Sequence, residues 1–558
     1  MKPLSKILSY IVISSFLLTL NCFSQNRKAD SIQLALQKDY VKENVGTEIN
    51  TMFNETFPVI SADGRSLYFS RGGDPRNVGY KNNKENYDIW VSELQKNGRW
   101  SFPKNLGYPL NNGGNNYVCS ISPDGNSLII GGEYVSDTTI DQNCSLTYRT
   151  ISGWSYPEKV HIQNFYNLNK YVSFYLASDW KTLILSIERD DSQGNKDLYV
   201  CFKTDENEWS EPLNLGTIIN TEFNEATPFL SADMTTLYFS SNGHETYGEM
   251  DIFYSKRLDD SWTNWSKPVN IGKPYNTTGT EGGYYLTSRG DKAYFVSSNN
   301  TEGGTDIFQV KMKVELKPDP FIVVKGKLIN PITKEPLSGY VYYKQADEGR
   351  MSGSTRTNPG TGDFAITLPI GKQYRVVAIS DSFISAPIMV DAEAYDTITT
   401  LSISTPMRNL SDFARKRIVP ENLDLISNEI LQRIIFNTKT IYFGFNEVPI
   451  TGEFFPELDY IADILLKYPC FNITIVGHTD RVGTLRYNKE LSEHRASEVH
   501  NYILSRSVSD SRLVHFGRGY SQPVKDNLTE DNRSMNRRVE FIMNRTIDKN
   551  VEIGQKVK

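Results

Sequence analysis

The apolar run Ile473-Thr474-Ile475-Val476 leads into the loop Gly477-His478-Thr479-Asp480, which ends on a carboxylate. An arginine, Arg495, then follows inside a helical pattern. At ~100° per residue, Leu491, Val499, Tyr502 and Ile503 form one apolar arc of that helix. Arg495 falls within the arc and Asn488 lies on the same face. A guanidinium on an inward arc needs partners, because an unpaired buried charge costs several kcal/mol. Two kinds of carboxylate would serve: an internal one, Asp480 or Glu540, or one carried by a ligand. No nucleophile–base pair accompanies these residues, so the chemistry expected is binding without bond cleavage, with no cofactor. His478 in the loop and His494 on another side of the helix do not form a ligand set, so no metal is expected.

The elements that hold these groups alternate between strand and helix. Thr440-Ile441-Tyr442-Phe443 reads as a strand. Phe455, Leu458, Ile461, Ala462 and Leu465 recur at helical spacing, and Pro469 ends that helix. The strand at Ile473 to Val476, a helix over Tyr487 to Ser505, a strand around Leu513 to Phe516 and a last one at Arg538 to Ile542 complete the set. A βαβαβ-type order predicts helices packed on one sheet, an α/β domain.

Taken in order, Gly477-His478-Thr479-Asp480-x-x-Gly483, Asn488, Leu491-Ser492-x-x-Arg495-Ala496 and Asn536-Arg537-Arg538-Val539-Glu540 resemble the OmpA C-terminal domain. The resemblance implies a module that binds peptidoglycan without cleaving it. Asp480 would pair with the free amine of diaminopimelate in the stem peptide, and Arg495 with its carboxylate. A zwitterionic end needs one anion and one bidentate cation at fixed separation. Thr479, Asn488, Arg537 and Asn446 map onto accessory polar positions. Gly444 stands where many members carry Asp, which departs from the family at that contact.

Composition sets the class of the whole chain. At 558 residues, a prior of ~150 residues per domain gives three or four domains. A net charge of -6 supplies no basic field for nucleic acid. Lys2, Lys6 and the apolar run Ile7 to Leu20 read as a secretory signal, expected over residues 1–24. Cleavage after Ser24 is favoured over lipidation of Cys22, because Asn21 stands where a lipobox carries Gly or Ala. No later segment reads as a membrane span, so membrane association is expected only through lipidation or a partner. Cys119, Cys144, Cys201 and Cys470 show no CxxC spacing; a Cys119–Cys144 bridge is one option, and four small buried residues the favoured one.

Residues 25–43 precede an internal repeat that runs from 44 to 316. Phe53-Asn54-Glu55-Thr56-Phe57-Pro58-Val59-Ile60-Ser61-Ala62-Asp63 returns as Phe223-Asn224-Glu225-Ala226-Thr227-Pro228-Phe229-Leu230-Ser231-Ala232-Asp233. Three weaker copies pass through Ser122-Pro123-Asp124, Ser178-Asp179 and Thr287-Ser288. A Trp-Ser-x-Pro signature recurs at Trp100, Trp154, Trp209 and Trp265. Unit spacing of about 55–60 residues suits four-stranded blades, giving an all-β five-bladed propeller, with six blades as the alternative. Asn44-Val45-Gly46-Thr47-Glu48-Ile49-Asn50-Thr51 matches Asn214-Leu215-Gly216-Thr217-Ile218-Ile219-Asn220-Thr221, so an N-terminal strand is expected to complete the last blade and remove a free edge. The repeats resemble TolB-like propeller repeats, and their Asp-Gly pairs suit hairpin turns.

Residues 321–404 alternate apolar and polar between Gly and Pro punctuation, a small β-sandwich. Their motifs, including Thr333-x-x-Pro336-Leu337 and Gly362-x-Phe364, resemble the carboxypeptidase regulatory-like domain. A linker over 405–421, the α/β domain over 422–545 and a tail over 546–558 complete the multidomain order. It resembles OmpA-family envelope proteins of Bacteroidetes-type bacteria, some of which tether type IX secretion and gliding machinery to the wall. That implies a periplasmic or outer-membrane, peptidoglycan-associated scaffold, not an enzyme, with an outer-membrane or secretion-machinery protein docked on the propeller. The alternative is an envelope protein that binds or processes carbohydrate through the propeller face.

Overall fold

The computed structural model describes residues 40–135, 138–205, 207–346, 352–380, 382–409 and 440–545. The expected signal segment with Cys22, most of the 405–421 linker and the tail lie outside them.

Five sheets fill the first half of the chain, antiparallel except that His161–Ile162 pairs parallel with Glu208–Trp209 in the third. The first runs Asn54–Ile60, Ser66–Gly72, Tyr87–Glu93, Lys104–Asn105, and the fourth runs Glu225–Leu230, Thr236–Ser241, Asp251–Lys256, Val269–Asn270. In the fifth, Glu281–Leu286, Lys292–Ser297 and Asp306–Lys311 are joined by Glu43–Asn44, with Glu43 opposite Gln309 and Asn44 opposite Phe308. The leading strands of the five sheets (Asn54–Ile60, Val118–Ile121, Ser173–Leu176, Glu225–Leu230, Glu281–Leu286) each adjoin the next, and the fifth adjoins the first. Apolar side chains of all five sheets form one core.

The repeated polar residues are spent on this framework. Asn50 donates to Ile307 O and accepts from Ile307 N, and Asn111, Asn220 and Asn276 do the same at Ile89, Leu198 and Ile252. Asn44, Asn105, Asn214 and Asn270 donate to the buried carboxylates of Asp306, Asp88, Asp197 and Asp251. The serine of each Trp-Ser-x-Pro unit accepts from a neighbouring strand: Ser101 from Glu93 N, Ser155 from Tyr148 N, Ser210 from Phe202 N and Ser266 from Lys256 N. Asp63 and Asp124 cap their own turns, with Gly64 and Gly125 at positive φ. Each motif thus satisfies backbone groups that burial would otherwise leave unpaired.

The four described cysteines are free, so Cys119 and Cys144 are not bridged; Cys144 and Cys201 are buried, while Cys119 and Cys470 are only half-buried.

Residues from Phe321 onward make two sheets, Asp363–Pro369/Phe321–Lys327/Thr399–Ser402 and a larger one centred on Gly339–Gln345 and Gln373–Ser380. They sit against the aspartate turns: Thr355 Oγ1 donates to Asp124 Oδ2 at 2.5 Å, and Asn126 Nδ2 donates to Asp363 O at 3.2 Å.

The C-terminal domain is a mixed sheet of β1 (Ile441–Tyr442), β2 (Phe471–Gly477), β3 (Leu513–Gly517) and β4 (Arg538–Arg545), in the order β1-β4-β2-β3. β2 and β3 are parallel, and β4 lies antiparallel to both β2 and β1. Helix α1 (Phe455–Lys467) buries Leu458, Ile461, Ala462 and Leu465 of the spacing read from sequence, while Phe455 at its first position stays exposed. Helix α2 (Leu485–Ser505) starts at Thr484, whose hydroxyl accepts from Tyr487 N. A further short helix, α3 (Glu530–Asn536), was not expected; its signal is the cap Thr529, which accepts from Asn532 N.

Candidate ligand-binding site

The site forms where β2 ends against α2. A Cβ on Gly477 would meet the Ser492 carbonyl, and one on Gly517 the Ser492 side chain, so glycine lets both strand ends approach the helix. That close packing carries His478, Thr479 and Asp480 alongside Asn488, Ser492 and Arg495 on the buried face of α2.

Arg495 is fully buried. Its guanidinium donates to three carbonyls, Nε to Glu447 O at 2.7 Å, Nη1 to His478 O at 3.2 Å and Nη2 to Gly444 O at 2.9 Å, and lies 5.0 Å from the Phe443 ring centre. No carboxylate stands at ion-pair distance from it among the described residues. Of the two kinds of partner left open by the sequence, the internal one, Asp480 or Glu540, is therefore not formed. Burial pushes the Arg495 pKa down to about 10, with repulsion from Arg537 adding to it and attraction from Asp480 opposing. Carbonyl dipoles solvate the cation without neutralising it.

Asp480 is held by another arginine. Its Oδ2 accepts from Arg537 Nη1 at 2.9 Å, and its Oδ1 accepts from Val482 N. Arg537 also donates to Phe443 O and, through Nη2, to Glu530 Oε1 at 2.8 Å. Glu540 turns to Arg538, at 2.6 Å, and stands 3.4 Å from His478 Nε2.

The accessory residues divide. Asn488 is buried and donates to Val482 O, bracing the loop after Asp480. Thr479 donates its backbone N–H to Gly519 O, while its buried hydroxyl has no hydrogen-bond partner among the described residues. Asn446 is exposed, at positive φ, and accepts from Tyr487. Glu530, Tyr487 and the carbonyls of Gly444 and Glu447 complete the surround. Sequence reading missed these: the two carbonyls carry no side-chain signal, and Glu530 is a surface carboxylate until Arg537 reaches it.

Two buried guanidiniums, Arg495 and Arg537, and the buried carboxylate of Asp480 thus lie close together at this end of the sheet. Residues 442–537 match the OmpA family, and the C-terminal unit is an OmpA-family domain. Over 100 residues it is 37% identical to outer membrane porin F of Pseudomonas fluorescens, covering 18% of this chain and 31% of that protein. Over 99 residues it is 36% identical to the peptidoglycan-associated lipoprotein of Buchnera aphidicola, covering 18% of this chain and 57% of that protein. The chain thus spans between about a third and just over half of the length of these relatives. Among solved structures, the peptidoglycan-associated lipoprotein of Burkholderia pseudomallei aligns at 26% identity, with a TM-score of 0.19, over 20% of this chain and 93% of that one.

Proposed function

We propose that this chain is a non-catalytic scaffold of the bacterial envelope, periplasmic or at the outer membrane, that grips peptidoglycan through its C-terminal domain. The observation that carries the reading is Arg495: a buried cation, solvated by three carbonyls and matched by no carboxylate among the described residues, calls for an anion from a ligand. The ligand is the diaminopimelate end of a stem peptide. Its carboxylate goes to Arg495 and its ammonium to Asp480, with Thr479, Asn488, Arg537 and Asn446 around it. The name of one relative, a peptidoglycan-associated lipoprotein, supports peptidoglycan as the polymer bound.

The five sheets of the first half are read as a five-bladed propeller closed by Glu43–Asn44. The adjacency of their leading strands supports closure. The residues after it are read as a carboxypeptidase regulatory-like spacer. The propeller is the docking surface for a protein partner, an outer-membrane or secretion-machinery component.

Pull-down on purified sacculi tests the wall-binding half. The intact chain is expected to co-sediment, and Asp480→Ala and Arg495→Ala variants that still fold are expected to stay in solution. Unchanged sedimentation of both variants would sink the site assignment. For the propeller half, crosslinking in cells is expected to capture a protein on residues 44–316, and capture of glycan alone would overturn it.

A further inference from the structure

Within the site, Glu530 stands in a relation to Asp480 that no contact between the two reveals. Arg537 lies between them, nearly buried, with one Nη on Asp480 at 2.9 Å and the other on Glu530 at 2.8 Å. Asp480 is buried, whereas Glu530 is mostly exposed at the start of α3. Both oxygens of Glu530 are engaged, Oε1 with Arg537 and Oε2 with Arg533 Nε at 3.0 Å. The segment bearing it is tied to the Asp480 loop, since Asn527 Oδ1 accepts from Arg481 N at 3.0 Å and from Asn536 Nδ2. The hold of Arg537 lowers the Glu530 pKa, so this carboxylate is charged at neutral pH.

An incoming ammonium must compete with Arg537 for Asp480. A guanidinium shared between two carboxylates binds each less tightly than it would bind one alone, because its positive field is already partly compensated. When Asp480 turns to a ligand amine, Glu530 keeps Arg537 from becoming an unpaired buried cation.

We propose that Glu530 is a positioning residue of this site: by sharing Arg537 it keeps Asp480 exchangeable, and so sets the affinity for ligands that present an ammonium group. The inference rests on the reading of Asp480 as the amine-binding carboxylate.

The test uses the full chain and a soluble muropeptide ending in diaminopimelate, compared with the same muropeptide acetylated on its free amine. Glu530→Gln and Glu530→Ala are expected to weaken binding of the free-amine ligand by about fivefold, the scale of an exposed ion pair. Glu530→Asp restores most of the loss. The acetylated ligand, which does not compete for Asp480, binds wild type and Glu530→Gln alike. Equal affinity of wild type and Glu530→Gln for the free-amine ligand overturns the inference. So does an equal loss for both ligands, which marks a merely structural role. If wild type binds neither muropeptide, the peptidoglycan reading itself fails, an outcome separate from the other two.

Discussion

The guanidinium of Arg537 lies 2.9 Å from the carboxylate of Asp480, and this pair leaves the neighbouring Arg495 with hydrogen bonds to carbonyls only among the described residues. Two cations share one small region, and the more deeply buried one has no anion of its own among the described residues. Such an arrangement is costly unless a ligand completes it.

Arg495→Lys is therefore expected to separate shape from charge. An ammonium cannot reach three divergent carbonyls at once, so the substitution strands at least one of them at a cost of about 1–3 kcal/mol. The wall-binding signal falls with it although the charge is kept. Thermal unfolding and sacculus sedimentation of the same preparation measure the two effects, and retained sedimentation would show that charge alone suffices.

Gly477→Ala acts through packing. The new methyl group runs into the Ser492 carbonyl, so β2 and α2 must part, at a cost of about 1–3 kcal/mol or more. A lowered urea midpoint for the C-terminal transition is the expected result. Because Asp480 and Arg495 ride on these two elements, ligand binding weakens as well.

Glu540 gives the domain a specific acid sensitivity. Its pKa is held down to about 2, chiefly by His478, whose Nε2 stands 3.4 Å away, and then by Arg538, against the opposing effect of burial. A carboxyl whose folded pKa lies below its unfolded value, about 4.5, stabilises the fold above that value. The contribution is lost as pH falls from about 4.5 towards 2. Glu540→Gln should flatten the decline of the urea midpoint between about pH 5 and pH 2.5 relative to wild type. Parallel curves would remove Glu540 from the account.

Asn50→Ala tests how the N-terminal segment is held. The amide bonds both the N–H and the C=O of Ile307, at 2.9 and 2.8 Å, and losing it orphans two buried backbone groups. The expected cost is about 2–3 kcal/mol, read as a lower melting temperature of the five-sheet region. An unchanged melt would mean that the segment contributes little to it.

Much of this was legible before any coordinates. The matching of Asn44–Thr51 with Asn214–Thr221 anticipated a strand at Glu43–Asn44, because Asn50 and Asn220 make the same backbone bonds in their repeats. Helix α2 and the inward placement of Arg495 followed from apolar spacing, since a helical period is a local property. Helix α3 was missed: it is short and polar, without an apolar stripe to announce it.

By itself, then, the sequence determined the repeat, the alternation of elements and the burial of Arg495, all consequences of short-range periodicity. Only the tertiary structure decided which cation holds Asp480. β4 pairs antiparallel with β2, setting Val539 opposite Gly477, and His478 N donates to Arg538 O at the same end. That register brings Arg537 beside the loop, while the chain after β1 offers its carbonyls to Arg495. Strand register and carbonyl direction depend on how distant segments close on one another. No local pattern of residue types records them.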